Sequence, residues 1–282
     1  MVSGKDVTSI EQTLSKELES IHEWLTENKL SLHLGKTESI LFGSKRRLNK
    51  KKNMKVTCNG SGIESKTNVT YLGITLDQSI TGENIASKVI SKSTNKLKFL
   101  YRNTTSFDLQ TKKLLVSALI QCHFDYACSS WYSGLSQKLK NKIQITQNKI
   151  IRYLLNAPAR THIGFDEFKK VRLLPVASRV EQLKLNHMYG IVNGKAPEYL
   201  CKQVQMVSEQ HSHQTRGSSL ACVVPRVNSF GITSFMYTGI KIWNNLPISL
   251  KKVKSKQLFK QEIKKYLFNK SKVQNENVFH YY

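Results

Sequence analysis

The sequence predicts an α+β, mostly helical fold with a small helix-plus-strands part at its N-terminal end. Three observations predict it. Apolar residues recur at helical spacing over most of the 282 residues. Short β-prone stretches with turn dipeptides are confined to residues 37–77. With 39% hydrophobic and 22% charged residues, the chain is able to bury a good core, as one large domain or two moderate ones.

In chain order, Ile10, Leu14, Leu18, Ile21 and Leu25 recur at steps of four, four, three and four, which puts them on one face of a helix from Thr8 to Asn28. Thr8 and Glu11 have capping-box spacing, and Asn28 with the Ser31 turn supplies a stop. Thr37 to Phe42 is short and β-prone. The run SKRRLNKKKNMK follows, with seven basic residues between Lys45 and Lys55 and no acid. Val56-Thr57-Cys58 and the Asn59-Gly60 turn favour a hairpin with this run at its tip or entry. Lys45, Arg46 and Arg47 then suit phosphate contact, with a nuclear address and a solvated connection as the other readings. In YLGITLD, Tyr71 to Asp77, the residues Leu72, Ile74 and Leu76 alternate with Gly73 and Thr75 as in a half-buried strand.

Residues 81–200 read as helical and basic. From Glu83 to Arg102, Ile85, Val89, Leu97 and Leu100 mark an inner face, and Lys88, Lys92 and Lys96 line the other at steps of four. Such lysines lie about 6 Å apart along the axis, which suits successive phosphates of a strand. A second helix, Asp108 to Cys122, takes Asp108 as N-cap and turns Leu115, Leu119 and Cys122 inward. A third, Leu135 to Asn156, has Leu135, Leu139, Ile143, Ile150 and Leu154 inside and Lys138, Lys142, Lys149 and Arg152 outside. Between them, Phe124, Tyr126, Trp131 and Tyr132 suit a core cluster better than base stacking. Val180 to Val192 is a further helix stopped by Asn193-Gly194, and Asp166 and Glu167 suit a helix N-terminus rather than catalysis.

Residues 201–282 read as an irregular linker followed by a helical extension. Cys201, His211, His213 and Cys222 have no spacing of a compact zinc site. Phe230 to Trp243 and Ser255 to Asn269 are helical, the latter packing Leu258, Phe259, Ile263, Tyr266 and Leu267, with a frayed end after Lys272. Nine lysines against one glutamate between Lys251 and Lys272 either grip RNA or form a solvated face.

Charge is the outlier. The chain has 44 Lys plus Arg against 19 Asp plus Glu, a formal charge of +25. Residues 1–44 hold four lysines and seven acids, so the rest carries about +28. Such a balance calls for a polyanionic partner, nucleic acid or an anionic membrane surface. No secretory signal is present, and the longest uncharged apolar run, Leu114 to Ile120, is far too short to span a bilayer. Five cysteines without a pairing pattern read as reduced thiols of cytoplasm or nucleus. There is no Gly-rich phosphate loop, HExxH or nucleophile elbow.

WLTENKLSLHLGKTESILF at Trp24–Phe42 and YLGITLD at Tyr71–Asp77 resemble the reverse transcriptases of non-LTR (LINE-type) retrotransposons, especially the jockey-like group. There, W-L-x-x-N-x-L-x-L-x-x-x-K-T-x-x-x-x-F follows the catalytic box and Y-L-G-[IV]-x-[LI]-D leads to the thumb. Looser similarity continues through FDYACSSWY, WNNLP at Trp243–Pro247 and Leu258-Phe259-Lys260, so it covers nearly the whole chain. The resemblance implies a distal palm remnant over 1–80, a helical thumb-like region over 81–200, and the linker and extension over 201–282. It places Lys36 near an incoming nucleotide. The family's polymerases hold two Mg ions about 3.5–4 Å apart on clustered carboxylates. This chain has no adjacent Asp pair, and its opening resembles the segment just after the catalytic box. It is therefore expected to take no cofactor itself, to bind RNA or RNA–DNA hybrid backbone, and to need for synthesis the missing N-terminal polymerase half, carried in a longer product. A repurposed protein-interaction module and a decayed element relic are the other expectations.

Overall fold

The computed structural model describes residues 1–49, 54–103, 106–210, 220–229 and 231–278, with residues 210 and 272–278 as backbone only. The fold is α+β and mostly helical, with 61% helix and 8% strand. It divides into two compact units, Met1–Ile85 and Ala86–Tyr282.

In the first unit, α1 (Val7–Glu27) is capped by Asp6, whose carboxylate accepts from the Ser9 amide at 3.4 Å. The expected Thr8/Glu11 box is not used. Glu11 instead accepts from the Lys55 amide at 2.8 Å, and Ser15 Oγ from the Thr57 amide at 3.0 Å. These bonds satisfy the outer edge of β2 (Val56–Cys58), which would otherwise be a free edge open to pairing. β2 pairs antiparallel with β3 (Ser61–Ser65) through the expected turn, in which Asn59 and Gly60 have φ of 51° and 73°, the type I′ requirement. β1 is only Glu38–Ser39, parallel to β3, and Lys66 ties the pair by bridging Glu38 at 2.6 Å and Glu64 at 3.3 Å.

Met54, Val56, Cys58 and Ile63 form the core under Val7, Ile10, Leu14 and Leu18. Ile21, expected inside, is 51% exposed, and Leu25 is half-buried. The reason is length: three residues of β2 span about 10 Å, whereas α1 spans about 30 Å, so its last turns run beyond the sheet.

YLGITLD is not one strand. β4 (Asn68–Tyr71) and β5 (Ile74–Asp77) are the arms of a second hairpin, and Leu72 and Gly73 are its turn, with φ of 47° and 78°. The alternation that reads as a strand is thus split by a glycine at the position where positive φ is needed. Leu72 consequently stands 72% exposed. Asp77 ends β5 and gathers the next turn: its carboxylate accepts from the amides of Ser79, Thr81 and Gly82 at 3.0–3.1 Å.

α3 (Glu83–Asn103) turns Ile85, Val89, Leu97 and Leu100 inward, as expected. In the second unit, α4 (Leu109–Val116) is capped by Asp108, which accepts from the Thr111 amide at 3.0 Å. It continues through a π-helical stretch, Ser117–Gln121, into α5 (Cys122–Asp125), and α6 (Cys128–Trp131) follows a break at Ala127 with φ of 47°. The inward residues are Lys112, Val116, Ile120, Phe124 and Cys128, not Leu115, Leu119 and Cys122. Steps of four drift around a 3.6-residue helix, and the wider π turn compensates for that drift. Phe124, Trp131 and Tyr132 lie in the core, whereas Tyr126 is exposed.

α7 (Gln137–Leu154) buries Ile143, Ile150 and Leu154. It also buries Gln147, whose Nε2 donates to the Leu174 carbonyl at 2.9 Å. α8 (Phe165–Val171) is capped by Glu167, which accepts from the Gly164 amide at 3.0 Å, the structural use expected of that acid. α9 (Val176–Val192) ends at Asn193, with Gly194 at φ 64°.

Short α10 (Glu198–Cys201) and α11 (Val207–Gln210) precede α12 (Phe235–Asn244), α13 (Ile248–Lys251) and α14 (Lys256–Val278). The helices α12 and α14 do not pack separately from α9. Leu185, Met188 and Tyr189 of α9 share one core with Ile240 and Trp243 of α12 and Phe259, Ile263 and Leu267 of α14. Tyr189 stacks on Phe259 with centroids 4.4 Å apart. Gly239 permits the close approach of α12 to α9, because a Cβ there would lie 3.1 Å from Met188 Sδ. Leu258, expected to pack, is exposed, and α14 runs past the expected end at Asn269.

Candidate nucleic-acid interface

Two helices of the second unit present lysines in register. On α3, Lys88, Lys92 and Lys96 are all exposed along a stripe that flanks the apolar face of Val89, Leu97 and Leu100. On α7, Lys138, Lys142 and Lys149 are exposed at steps of four and seven, again one face. Among the described residues, Lys92, Lys96, Lys138, Lys142 and Lys149 make no ion pair, so their charge is directed to solvent. The two helices meet at their C-terminal ends, where the Tyr101 and Tyr153 rings lie edge to face at 5.0 Å.

Arg152 departs from the expectation. It is half-buried, and its Nε donates to the Thr161 carbonyl at 2.8 Å, tying the loop after α7. The helix between the two is not a basic face either. Lys112 is buried, with Nζ donating to Asn156 Oδ1 at 2.5 Å and lying 5.2 Å from the Tyr153 ring centroid. In the first unit Lys36 is exposed in a 3₁₀ turn, and Lys45, Arg46 and Arg47 are exposed in α2 (Lys45–Leu48), capped by Ser44. Lys50, Lys51 and Lys52 of the basic run lie outside the described residues, as do His211 and His213.

The C-terminal lysines are partly committed within the fold. Lys251 Nζ donates to the Asn244 carbonyl at 2.9 Å, Lys265 pairs with Glu262, and Lys270 pairs with Glu181, both at 2.7 Å. Sequence reasoning missed His123 of α5, which neighbours the α3 stripe. Burial, and then the charges of Lys92 and Lys96, hold its imidazole below the usual range. Its position follows from the π turn, for which the sequence has no signal.

Among the described residues the acids do not compose a two-metal site. Asp77 is spent on its turn, Asp125 pairs with Arg179 at 2.7 Å, and Asp166 and Glu167 begin α8. Among the described residues no three His, Cys, Asp or Glu side chains gather to hold a metal ion. The carboxylate cluster implied for the polymerase family therefore does not fit the residues present. No helix among the described residues is long and apolar enough to cross a membrane.

One buried polar centre is structural. Lys184 of α9 donates to Ser133 Oγ and, at 2.6 Å, to Thr238 Oγ1, joining α9 to the turn after α6 and to α12. Burial lowers its pKa to about 8 and pushes the nearby Cys128 thiol up to about 12. Between pH 8 and the ordinary lysine value of 10.5 the unfolded chain holds the Lys184 proton that the folded chain has released, so the contribution of Lys184 to stability rises with pH there, while Cys128 acts in the opposite sense above pH 9. Lys184→Met should abolish this rise. Unfolding titrations across the window should show the wild type gaining up to about 3 kcal/mol relative to the variant.

The chain matches no protein-family model, no curated protein and no solved structure.

Proposed function

We propose that this chain grips RNA or an RNA–DNA hybrid by its phosphate backbone, as the post-catalytic part of a reverse-transcriptase-like polymerase, and does not polymerise alone. The observation that supports this reading is the pair of exposed lysine stripes, Lys88, Lys92 and Lys96 on α3 and Lys138, Lys142 and Lys149 on α7. Each stripe is held straight by a helix whose neighbouring face is packed, so its charges are presented in order rather than scattered. Contacts of this kind read phosphate and carry no base information.

A second reading, docking to a protein partner, is favoured by the first unit. Trp24 is 58% exposed, and Ile21, Leu30, Tyr71 and Leu72 are exposed as well. Trp24, Leu30, Tyr71 and Leu72 are residues on which the family resemblance rests, and in this proposal a polymerase half bearing the carboxylates covers them. Both roles are compatible in one chain.

The test is fluorescence anisotropy with RNA, single-stranded DNA and RNA–DNA hybrid of several base sequences, together with primer extension in Mg. Binding with little sequence preference and no extension product is expected. Absence of binding, or extension by the chain alone, would overturn the proposal.

A further inference from the structure

The lysine stripe of α3 does not end in a fourth lysine. Lys88, Lys92, Lys96 and Phe99 follow at steps of four, four and three, so Phe99 lies on the same face one turn beyond Lys96. Phe99 is 53% exposed, and among the described residues no other ring packs on it. Single exposed apolar residues are common and need no explanation. What distinguishes this one is its place at the end of a row of cations, with exposed Lys98 and Arg102 within one turn of it.

We infer that Phe99 is a base-stacking platform, and that the α3 face binds a single strand, or the unpaired end of one, in preference to a fully paired duplex. The inference rests on the phosphate-binding reading above and adds the class of nucleic acid. A strand laid along α3 has phosphates beside Lys88, Lys92 and Lys96 about every 6 Å. Its next base then arrives about 4.5 Å further along the axis, over the exposed ring. An unpaired base has a free π face to lay on Phe99, and every base has one, so the contact is sequence-tolerant. In a hybrid the bases are stacked on one another, so the lysines still meet phosphates while the ring meets none.

The experiment compares the full wild-type chain with Phe99→Ala and Phe99→Trp, binding a single-stranded 12-nucleotide RNA and the same RNA paired to DNA. Phe99→Ala should lose roughly tenfold in affinity for the single strand. It should change less than twofold for the hybrid and keep the salt slope of the wild type. Phe99→Trp should retain affinity, with its emission, taken as the difference from wild type, quenched by the single strand. The exposed position leaves folding intact, which the far-UV spectrum checks. Unchanged single-strand affinity in Phe99→Ala, or equal losses on both ligands, overturns the inference while leaving the lysine reading standing. A wild type whose binding has no salt dependence removes the phosphate reading, and this inference with it.

Discussion

Trp243→Ala should unfold most of the second unit's C-terminal packing, at a cost of about 3–5 kcal/mol. The ring is fully buried in the core shared by α9, α12 and α14, with its centroid 6.0 Å from that of Phe259. Its Nε1 donates to the Leu220 carbonyl at 3.1 Å, and the adjacent Asn244 clamps Cys222 by accepting its amide at 2.9 Å and donating to its carbonyl at 2.8 Å. Alanine leaves a void and strips the Leu220 carbonyl of its donor, two separate penalties. Against a total stability of about 5–15 kcal/mol such a loss is severe. Trp243→Phe keeps most of the volume and should cost only about 1–2 kcal/mol. Urea unfolding followed by far-UV circular dichroism measures both. Equal midpoints for wild type and Trp243→Ala would contradict the shared core.

Replacing Lys88, Lys92 and Lys96 together by glutamine should have the largest effect on binding. If each lysine displaces a counterion from phosphate, log affinity falls with log salt by about 0.7–0.9 per contact. The triple variant should therefore lose about 2 to 3 from the slope. Because the three side chains are exposed, stability should move by no more than about 0.5 kcal/mol. The outcome that contradicts the account is an unchanged slope, which would make the stripe a solvated face.

The sequence shows long periodic elements well and local exceptions poorly. The inner faces of α3 and α7 follow their repeats, and Asn59-Gly60 announces its hairpin, because periodicity and turn chemistry are written in neighbouring residues. The α4 face is hidden because a buried lysine, Lys112, marks it in place of an apolar residue, and the π turn that follows shifts the register without leaving a residue signature, which hides His123 beside the stripe. The strand reading of Tyr71–Asp77 failed because an alternating pattern does not reveal that its glycine sits in a turn. Thr8 and Glu11 have the right spacing for a cap, yet a free strand edge at β2 takes the glutamate. That competition is tertiary and lies beyond any local pattern. For the candidate site, the lysines of α3 and α7 were legible as stripes, whereas the use of Arg152 as a tether depends on a loop carbonyl nine residues away.

Several residues of the WNNLP and FDYACSSWY stretches act as joints in this fold. In WNNLP, Trp243 and Leu246 fill the core, Asn244 clamps Cys222, and Pro247 begins the turn into α13. In FDYACSSWY, Phe124 and Trp131 are buried, Asp125 holds Arg179, and Trp131 Nε1 donates to the Tyr126 carbonyl at 3.0 Å. These residues hold α9 to α5 and α12.

Photocrosslinking a 4-thiouridine-labelled RNA to the full chain, then locating the adducts by peptide mass spectrometry, shows whether RNA lies along the lysine stripes. Adducts are expected in the peptides of α3 and α7, around Lys88–Phe99 and Lys138–Lys149. Adducts confined to Lys45–Leu48 or to α14, or none above a protein without affinity for RNA, would contradict that placement.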